Sequence, residues 1–341
     1  MRGTSSLRSD LDGLIRDSLS REASALGIGA HAFLDREALL PFIKRYPEAS
    51  HRYGLDRAGL VMTATLAFGN GLGLAGEARL TSTPSKAGPI LAKIGRFARA
   101  NWYAELVDRL RLCAKAARDA LIEAGANPGS AGDWHRLANS GLPERPLALA
   151  SGLGSPGRSG LLLVPGAGPG VILGLLLVPM TACGLDEAVA SEQILRSFDD
   201  TSTRFPLPGA DCGSCQACVE ACPTGALSFG GNFEKEICIQ YWSSRGGILP
   251  ERVSSAWTDV LYGCDLCTIS CPRFSAKSSI VPSRGLLGEA LPAEEIVSAT
   301  DVELRGRLRG TALGLGWISP AALRRNAGIV IERAHAGSRG P

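Results

Sequence analysis

The stretch Cys212-Gly-Ser-Cys215-Gln-Ala-Cys218-Val-Glu-Ala-Cys222-Pro223 decides the fold of the central part of this 341-residue chain. Its spacing, C-x2-C-x2-C-x3-C-P, is that of the bacterial run in which cysteine thiolates hold 4Fe–4S clusters. The first three thiolates of such a run surround one cube, and the fourth ligates another. A structural zinc site is the alternative for any single C-x2-C pair, but zinc sites rarely use the full run. The stretch therefore predicts a ferredoxin-like domain organised by iron–sulfur clusters.

A second run, Cys264-Asp-Leu-Cys267-Thr-Ile-Ser-Cys271-Pro272, repeats the last three positions of the first and lacks one ligand. Cys238 is the only cysteine between the two runs, so we expect it to supply the missing thiolate. Because the last cysteine of each run crosses to the other cube, two sets of four ligands are predicted. Cluster one takes Cys212, Cys215, Cys218 and Cys271, and cluster two takes Cys222, Cys238, Cys264 and Cys267.

Composition excludes several classes of protein. Apolar residues make up 45% and charged residues 20%, which is typical of a compact folded chain. The net charge is only +3, too small for the whole molecule to bind nucleic acid or an anionic membrane through its overall field. Eight of the ten cysteines lie in the two runs and at Cys238. Such a local cluster indicates metal binding in a reducing compartment rather than a disulfide scaffold.

Two segments bear on the location of the protein. Residues 7–19 alternate apolar with charged side chains at the spacing of an amphipathic helix, unlike the apolar core of a signal peptide. Residues 160–183 carry no charge and are long enough to cross a bilayer, but the Pro- and Gly-rich residues 165–170 would break a helix there. Two buried strands, 161–164 and 171–178, are expected instead. The protein is predicted to be cytoplasmic, with no membrane partner.

The chain is predicted to have three parts. An α/β (α+β) N-terminal domain covers residues 1–195, with a strand over 58–68 and a long helix over 90–124. A ferredoxin-like double 4Fe–4S cluster domain follows at residues 196–285, where cysteines replace apolar periodicity. A short helical segment, residues 286–341, ends the chain.

The C-terminal segment is basic. From residue 301 onward it holds seven Arg against three acids. A basic tail on a nearly neutral body is a candidate for contact with RNA phosphates, and a solvated surface helix is the alternative. The arginines that would make such contacts are Arg305, Arg307, Arg309, Arg324 and Arg325.

Several motifs together resemble the epoxyqueuosine reductase family, whose members are related to corrinoid reductive dehalogenases. The first cysteine run continues as Pro223-Thr-Gly-Ala-Leu227, and the later cysteines stand in Cys238-Ile-Gln-Tyr and Tyr262-Gly-Cys264-Asp-Leu-Cys267. Upstream, Ser151-Gly-Leu-Gly-Ser-Pro-Gly-Arg-Ser159 is similar to the family's Ala-Gly-Leu-Gly-x-x-Gly-Lys-Asn segment. Residues 308–313 and 323–327 resemble the family's C-terminal end. The resemblance covers nearly the whole chain.

The resemblance implies an oxidoreductase with two 4Fe–4S clusters and a base-off corrinoid (cobalamin) between the N-terminal domain and the cluster domain. Gly152, Gly154, Gly157 and Arg158 would then bind that cofactor. Cobalt reduced by the nearer cluster would remove the epoxide oxygen from a modified nucleoside in tRNA. The implied partners are an electron donor of the flavodoxin or ferredoxin type and tRNA, contacted by the basic C-terminal segment.

The sequence departs from the family pattern at three places. Ala138 stands at the position of the family's proton-donating Asp when Glu144-Arg145 is placed on the family's Glu-(Arg/Lys) pair. Residues 97–104 keep Tyr103 but lose the family's neighbouring Asp and His, and Arg158-Ser159 replaces Lys-Asn. Because alanine cannot act as a general acid, Glu144 and Tyr103 are the remaining candidates for a catalytic acid.

Two functions stay open at this point. The first is a corrinoid-dependent reductase whose substrate differs from the family's nucleoside, or whose acid comes from elsewhere. The second is a ferredoxin-type electron-transfer protein without a corrinoid. The glycines at 152, 154 and 157 could equally form a tight turn, and Glu144 could be a surface carboxylate.

Overall fold

A computed structural model of the chain describes residues 4–69, 88–185, 209–277 and 280–337. The first five helices are α1 (Thr4–Ala25), α2 (Arg36–Arg45), α3 (Pro47–Tyr53), α4 (Trp102–Glu123) and α5 (Glu144–Ala150). The strands are β1 (His31–Asp35), β2 (Ala58–Ala67), β3 (Leu91–Ile94), β4 (His135–Leu137), β5 (Ser155–Pro156), β6 (Leu162–Leu163), β7 (Val171–Pro179), β8 (Val260–Tyr262) and β9 (Ala290–Pro292). Later helices cover Ala217–Glu220, Ile239–Ser243, Glu251–Ala256, Leu266–Ile269, Ala293–Ser298, Asp301–Arg307 and Pro320–Gly337.

An antiparallel sheet of order β1-β2-β7-β4 forms the centre of the N-terminal domain. Strands β2 and β7 pair along their whole length, from Ala58 opposite Pro179 to Ala67 opposite Val171. The predicted strands over 58–68 and 171–178 are confirmed, and β6 forms within the predicted 161–164. In the described ranges no helix is long and apolar enough to span a membrane.

Helices cover both faces of this sheet. Leu60 and Met62 of β2 pack into a core shared with α1 and α4, whereas Val61 points to the opposite core with α2 and α5. The alternation follows from the period of two along a strand. Each fully buried Leu or Met contributes about 1.5–3 kcal/mol relative to an exposed one. The predicted N-terminal amphipathic helix is confirmed as α1, which buries Ile15 and Leu19 completely.

The predicted helix over 90–124 is wrong at its N-terminal third. Residues 91–94 form β3, which pairs in parallel with β8 and antiparallel with β9, and the helix begins only at Trp102. Gly95 interrupts the segment at a point where a Cβ would lie 2.5 Å from the carbonyl oxygen of Gly263. The side chain of Asn101 then caps α4 by accepting the backbone N–H of Ala104.

The C-terminal helices pack over this second sheet, and the predicted helical segment is confirmed after strand β9. Leu291, Ile296, Leu304 and Leu323 share one buried core with Ile94 of β3. The mixed α+β fold with its double-cluster region and C-terminal helix is therefore as predicted. The domain boundary expected at residue 195 lies outside the described residues, and strand pairing of β3 with β8 and β9 runs across the boundary expected at 285.

Candidate functional site

A cavity of about 460 Å³ lies between the N-terminal sheet and the cysteine-rich region. We call it the large cavity. Its N-terminal wall is formed by Phe68, Phe97, Tyr103, Leu161, Val171 and Ile172. Its opposite wall contains Cys222, Cys238, Cys264 and Cys267. These four cysteines are the set predicted to hold cluster two.

The other four cysteines surround a separate, small cavity of about 20 Å³. Its lining includes Cys212, Cys215, Cys218 and Cys271, together with Gly157 and Arg158. The structure thus brings the eight cysteines together in two groups of four that match the two predicted ligand sets. Cys215 is exposed at the surface, whereas Cys264 and Cys267 are half-buried beside the large cavity.

The donor set fits cubes better than single ions. Within the residues that the structure describes, no three His, Cys, Asp or Glu side chains are close enough to hold one metal ion. The four thiolates of a cube bind four different iron atoms, so they lie farther apart than the ligands of one tetrahedral zinc. This spacing favours 4Fe–4S clusters over a zinc site.

The electrostatics of the cluster-two thiols differ from one cysteine to the next. Burial, with smaller contributions from neighbouring cysteines, raises the pKa of Cys264 to about 11 and that of Cys267 to about 12. Burial also acts on the pKa of Cys222, but hydrogen bonds from Thr224 and nearby backbone N–H groups outweigh it and lower that pKa. One of these bonds runs from the Ala226 N–H to the Cys222 sulfur at 3.2 Å. Bound iron would hold all these thiols deprotonated.

Two turns of the N-terminal domain hold the cluster-one region. In the turn between β5 and β6, the side chain of Arg158 donates to backbone carbonyls of the cysteine loop. In the turn between β6 and β7, the Ala167 carbonyl accepts the backbone N–H of Ser275 at 3.2 Å. Gly168 has a φ of 64°, and a Cβ there would lie 2.1 Å from the Arg273 carbonyl oxygen, so only glycine fits this contact.

The glycines that the resemblance assigned to cofactor binding are placed elsewhere. Gly152 ends α5 with a φ of 74° and has nothing within 4 Å of a Cβ. A Cβ on Gly154 would lie 2.5 Å from the Leu163 carbonyl, and one on Gly157 would meet the Leu163 side chain at 3.0 Å. None of the three lines the large cavity, and neither does Arg158. Their geometry is that of a helix end and a tight hairpin.

The two candidate acids lie close to each other. Tyr103 lines the large cavity, and burial, with smaller contributions from Tyr262 and Glu144, raises the pKa of its phenol. The carboxylate of Glu144 accepts the backbone N–H groups of Asn139 at 3.0 Å and Ser140 at 2.7 Å. It thereby holds the turn that follows Ala138, in which Asn139 has a φ of 54°. Glu144 supports the turn, and Tyr103 is the candidate that faces the cavity.

Two residues at this site were missed by the sequence reading. Arg145 lines the large cavity and donates to the Gly160 carbonyl at 2.6 Å. The ring of Phe97 lies 5.9 Å from that of Tyr262, next to the cluster-two loop. The sequence did point to Arg145, because this residue belongs to the Glu-Arg pair quoted for the resemblance. Phe97 opens the segment 97–104 that was compared with the family pattern, but its contact with Tyr262 had no signal, because the two residues are distant in the sequence.

The arginines predicted to contact RNA are not equally available. Arg324 is bonded to Asp301, and Arg325 donates to the carbonyls of Trp242, Arg245 and Gly247. Arg307 lies 3.7 Å from Glu295. Within the described residues, the exposed side chains of Arg305 and Arg309 make no hydrogen bond or ion pair.

Comparison with known proteins agrees with iron–sulfur clusters in the cysteine-rich region. Residues 211–273 match the family model of the 4Fe-4S double cluster binding domain. Curated relatives include epoxyqueuosine reductases of Aliivibrio fischeri, 30% identical over 58% of this chain and 48% of that protein, and of Listeria monocytogenes, 29% identical over 77% and 63%. The chain thus spans less than two thirds of the length of either relative.

Solved structures share the fold. An epoxyqueuosine reductase from Streptococcus thermophilus superposes with a TM-score of 0.64 at 18% identity, covering 94% of this chain and 81% of that one. An epoxyqueuosine reductase solved with an epoxyqueuosine-modified tRNA stem loop superposes with a TM-score of 0.62 at 18% identity, covering 95% and 82%. In sequence and in fold, the chain is similar to the epoxyqueuosine reductases, and its residues 211–273 match a double-cluster domain.

Proposed function

We propose that the protein is an iron–sulfur oxidoreductase in which single electrons pass from cluster one to cluster two and on to a group bound in the large cavity. The observation that carries this proposal is the division of the eight cysteines. Cys215 of the cluster-one set is exposed, where a protein donor can approach, whereas the cluster-two set lines the wall of the large cavity. Clusters of this type transfer one electron at a time.

A corrinoid is the group we propose for the large cavity. Phe68, Leu161, Val171 and Ile172 give it an apolar wall that suits the face of a planar macrocycle, and Ser159 and Gln240 provide polar contacts at its edges. None of the four histidines of the chain lines the cavity, which fits a corrinoid without an imidazole ligand from the protein. When bound, a corrinoid supplies a cobalt centre that accepts single electrons.

The proton for a reductive step would come from the protein's own side chains. Ala138 cannot supply it. The phenol of Tyr103 is protonated at neutral pH, as any phenol with a pKa of about 10 or higher is, and it faces the cavity. We therefore propose Tyr103 as the acid and a substrate other than the epoxyqueuosine of the family. Contact with tRNA through Arg305 and Arg309, a donor of the flavodoxin or ferredoxin type at Cys215 and a cytoplasmic location belong to the same proposal.

The alternative is an electron carrier without a corrinoid. The observation that favours it is the position of Gly152, Gly154, Gly157 and Arg158, none of which lines the large cavity. In that case the large cavity would hold cluster two and a docked partner.

Titration of cobalamin into the anaerobic, cluster-loaded protein separates the two functions. We expect the cobalamin absorption spectrum to change on binding, and bound cobalamin to be reduced when dithionite-reduced clusters are present. Leu161→Trp, which fills the cavity wall, should abolish the change. Ile122→Trp, at an exposed position near the end of α4, should leave it intact. No spectral change at saturating cobalamin would exclude the corrinoid function and leave the electron carrier.

A further inference from the structure

Arg158 occupies an unusual position for a cationic side chain. It lies in the turn between β5 and β6, is only 8% exposed, and lines the small cavity with the four cysteines of the cluster-one set. Its Nε donates to the Cys215 carbonyl at 3.0 Å, and its Nη2 donates to the Gly213 carbonyl at 2.7 Å. Its Nη1 donates to the Phe229 carbonyl. One guanidinium thus joins two separate loops of the cluster region to the N-terminal domain.

The backbone around Arg158 is built to bring this side chain close. Gly209 has a φ of 82°, and a Cβ there would lie 3.2 Å from the Arg158 Cβ. The Gly209 N–H donates to the Pro156 carbonyl at 2.9 Å. Gly209, which precedes the first cysteine run, therefore packs directly against the turn that contains Arg158.

No carboxylate in the described part of the chain forms an ion pair with Arg158. Its guanidinium instead lies 4.4 Å from the centre of the Phe229 ring, a cation–π contact. Burying a charge without an opposite charge is costly. Carbonyl dipoles offset part of this cost, and the thiolates of cluster one are the negative charge that the small cavity supplies.

We propose that Arg158 is a positioning residue that sets the reduction potential of cluster one. Its hydrogen bonds fix the ligand loop at Gly213 and Cys215, and its positive charge stabilises the reduced cluster, which carries one more negative charge than the oxidised cluster. Charge and hydrogen bonding near the sulfurs are the means by which proteins tune such potentials. The inference rests on the iron–sulfur part of the proposed function and does not depend on the corrinoid.

Arginine suits the hydrogen bonding to the ligand loop better than the lysine of the family segment. Its planar fork reaches three carbonyls in fixed directions, whereas a lysine ammonium is a point charge on a flexible chain. The charge and the hydrogen-bond geometry can therefore be tested separately. Arg158→Lys keeps the charge and loses the fork, and Arg158→Gln keeps a donor and loses the charge.

The test is a redox titration followed by electron paramagnetic resonance, with iron counted in each variant. For Arg158→Gln we expect one of the two midpoint potentials to fall, so that the reduced-to-oxidised ratio of that cluster drops at least tenfold at fixed potential, or about 59 mV for one electron. The other midpoint should not move. Arg158→Lys should change the ratio less than threefold.

Arg325→Gln is the matched control. Arg325 also donates to three backbone carbonyls, at 2.7–2.9 Å, but lines neither cavity. This variant should unfold more easily and leave both midpoints in place.

Three results would overturn the proposal: unchanged midpoints in Arg158→Gln with full iron, equal shifts in the Lys and Gln variants, or a shift of both midpoints. If Arg158→Gln loses iron, Arg158→Lys decides. An unshifted midpoint with full iron supports the role of the charge, and a tenfold shift contradicts it. Failure of cobalamin to bind would leave this result untouched.

Discussion

The backbone N–H of Arg96 donates a hydrogen bond of 2.7 Å to Oδ2 of Asp265. Asp265 stands between Cys264 and Cys267, two of the four cysteines on the wall of the large cavity. The turn after β3 therefore supports the cluster-two loop from a position far earlier in the chain. Close contact of Gly95 with Gly263 completes this junction.

Asp265→Ala should loosen this loop. Loss of a hydrogen bond to a charged group costs about 1.5–3 kcal/mol, so we expect a lower free energy of unfolding and faster loss of iron from cluster two. Urea unfolding and iron release to a chelator measure the two effects. Asp259→Ala is the control, because it removes an exposed ion pair with Lys93, worth about 0–1 kcal/mol, and an exposed hydrogen bond from the Thr258 hydroxyl. Equal iron release from both variants would contradict the role of Asp265.

Glu144 should make stability depend on pH in a particular direction. Burial raises its pKa in the folded protein, and the hydrogen bonds from Ser140 and Asn139 only partly oppose this. The folded state therefore binds its proton more tightly than the unfolded state. The stability of the parent relative to Glu144→Gln should be greatest below the usual Glu pKa of about 4.3 and fall as pH rises through the raised pKa.

Glu303 provides a control of opposite sign. Its carboxylate accepts the backbone N–H and the hydroxyl of Thr300, and these bonds lower its pKa. Stability relative to Glu303→Gln should be fully present above the usual Glu pKa and be lost as pH falls through the lowered value. Denaturant unfolding at pH values from about 3 to about 8, on both sides of the usual Glu pKa, measures the two pH dependences. If stability relative to the two variants changed with pH in the same direction, the opposite pKa shifts assigned to Glu144 and Glu303 would be contradicted.

Ala138 tests whether the family reaction is still performed. General acid catalysis contributes about 10²–10⁴ in rate, so the unmodified chain should reduce epoxyqueuosine negligibly. Since we propose a different substrate, Ala138→Asp should also fail to restore turnover. Product analysis of epoxyqueuosine-containing tRNA measures the turnover by the unmodified chain and by Ala138→Asp. Rapid reduction of epoxyqueuosine by the unmodified chain would show that Ala138 does not stand at the position of the proton donor.

RNA binding should depend on two arginines of the C-terminal segment. If Arg305 and Arg309 contact phosphates, each alanine variant should reduce the salt dependence of tRNA affinity by about one unit of slope. Arg325→Ala should instead lower the stability of the protein, because its guanidinium is bonded to backbone carbonyls. Absence of tRNA binding even at low salt would remove RNA from the proposed partners.

The sequence was most informative where spacing alone dictates chemistry. The crossing of Cys222 and Cys271 between clusters follows from the motif, and the structure groups the cysteines in the same way. It was least informative where distant segments meet. Residues 91–94 extend a helix-like pattern, but they pair with β8 and β9, roughly 170–200 residues away, and this long-range pairing overrides local preference.

The role of Arg158 could not be read from the sequence for the same reason. Its three acceptors lie 55, 57 and 71 residues away, so only the folded chain shows that the side chain faces the cluster loop. The glycines nearby are explained by φ angles and close backbone contacts, which a sequence segment alone does not distinguish from a cofactor-binding loop.

The iron and sulfide content of anaerobically purified protein tests the central claim most directly. Two cubes on eight thiolates predict about eight iron and about eight sulfide per chain. Cys238→Ser should lose about half of each, because cluster two loses one ligand. Cys113→Ala should keep all of them, because Cys113 is buried in the core of the N-terminal domain. A Cys238→Ser protein with full iron content would contradict the assignment of Cys238 to cluster two and, with it, the division of the eight cysteines.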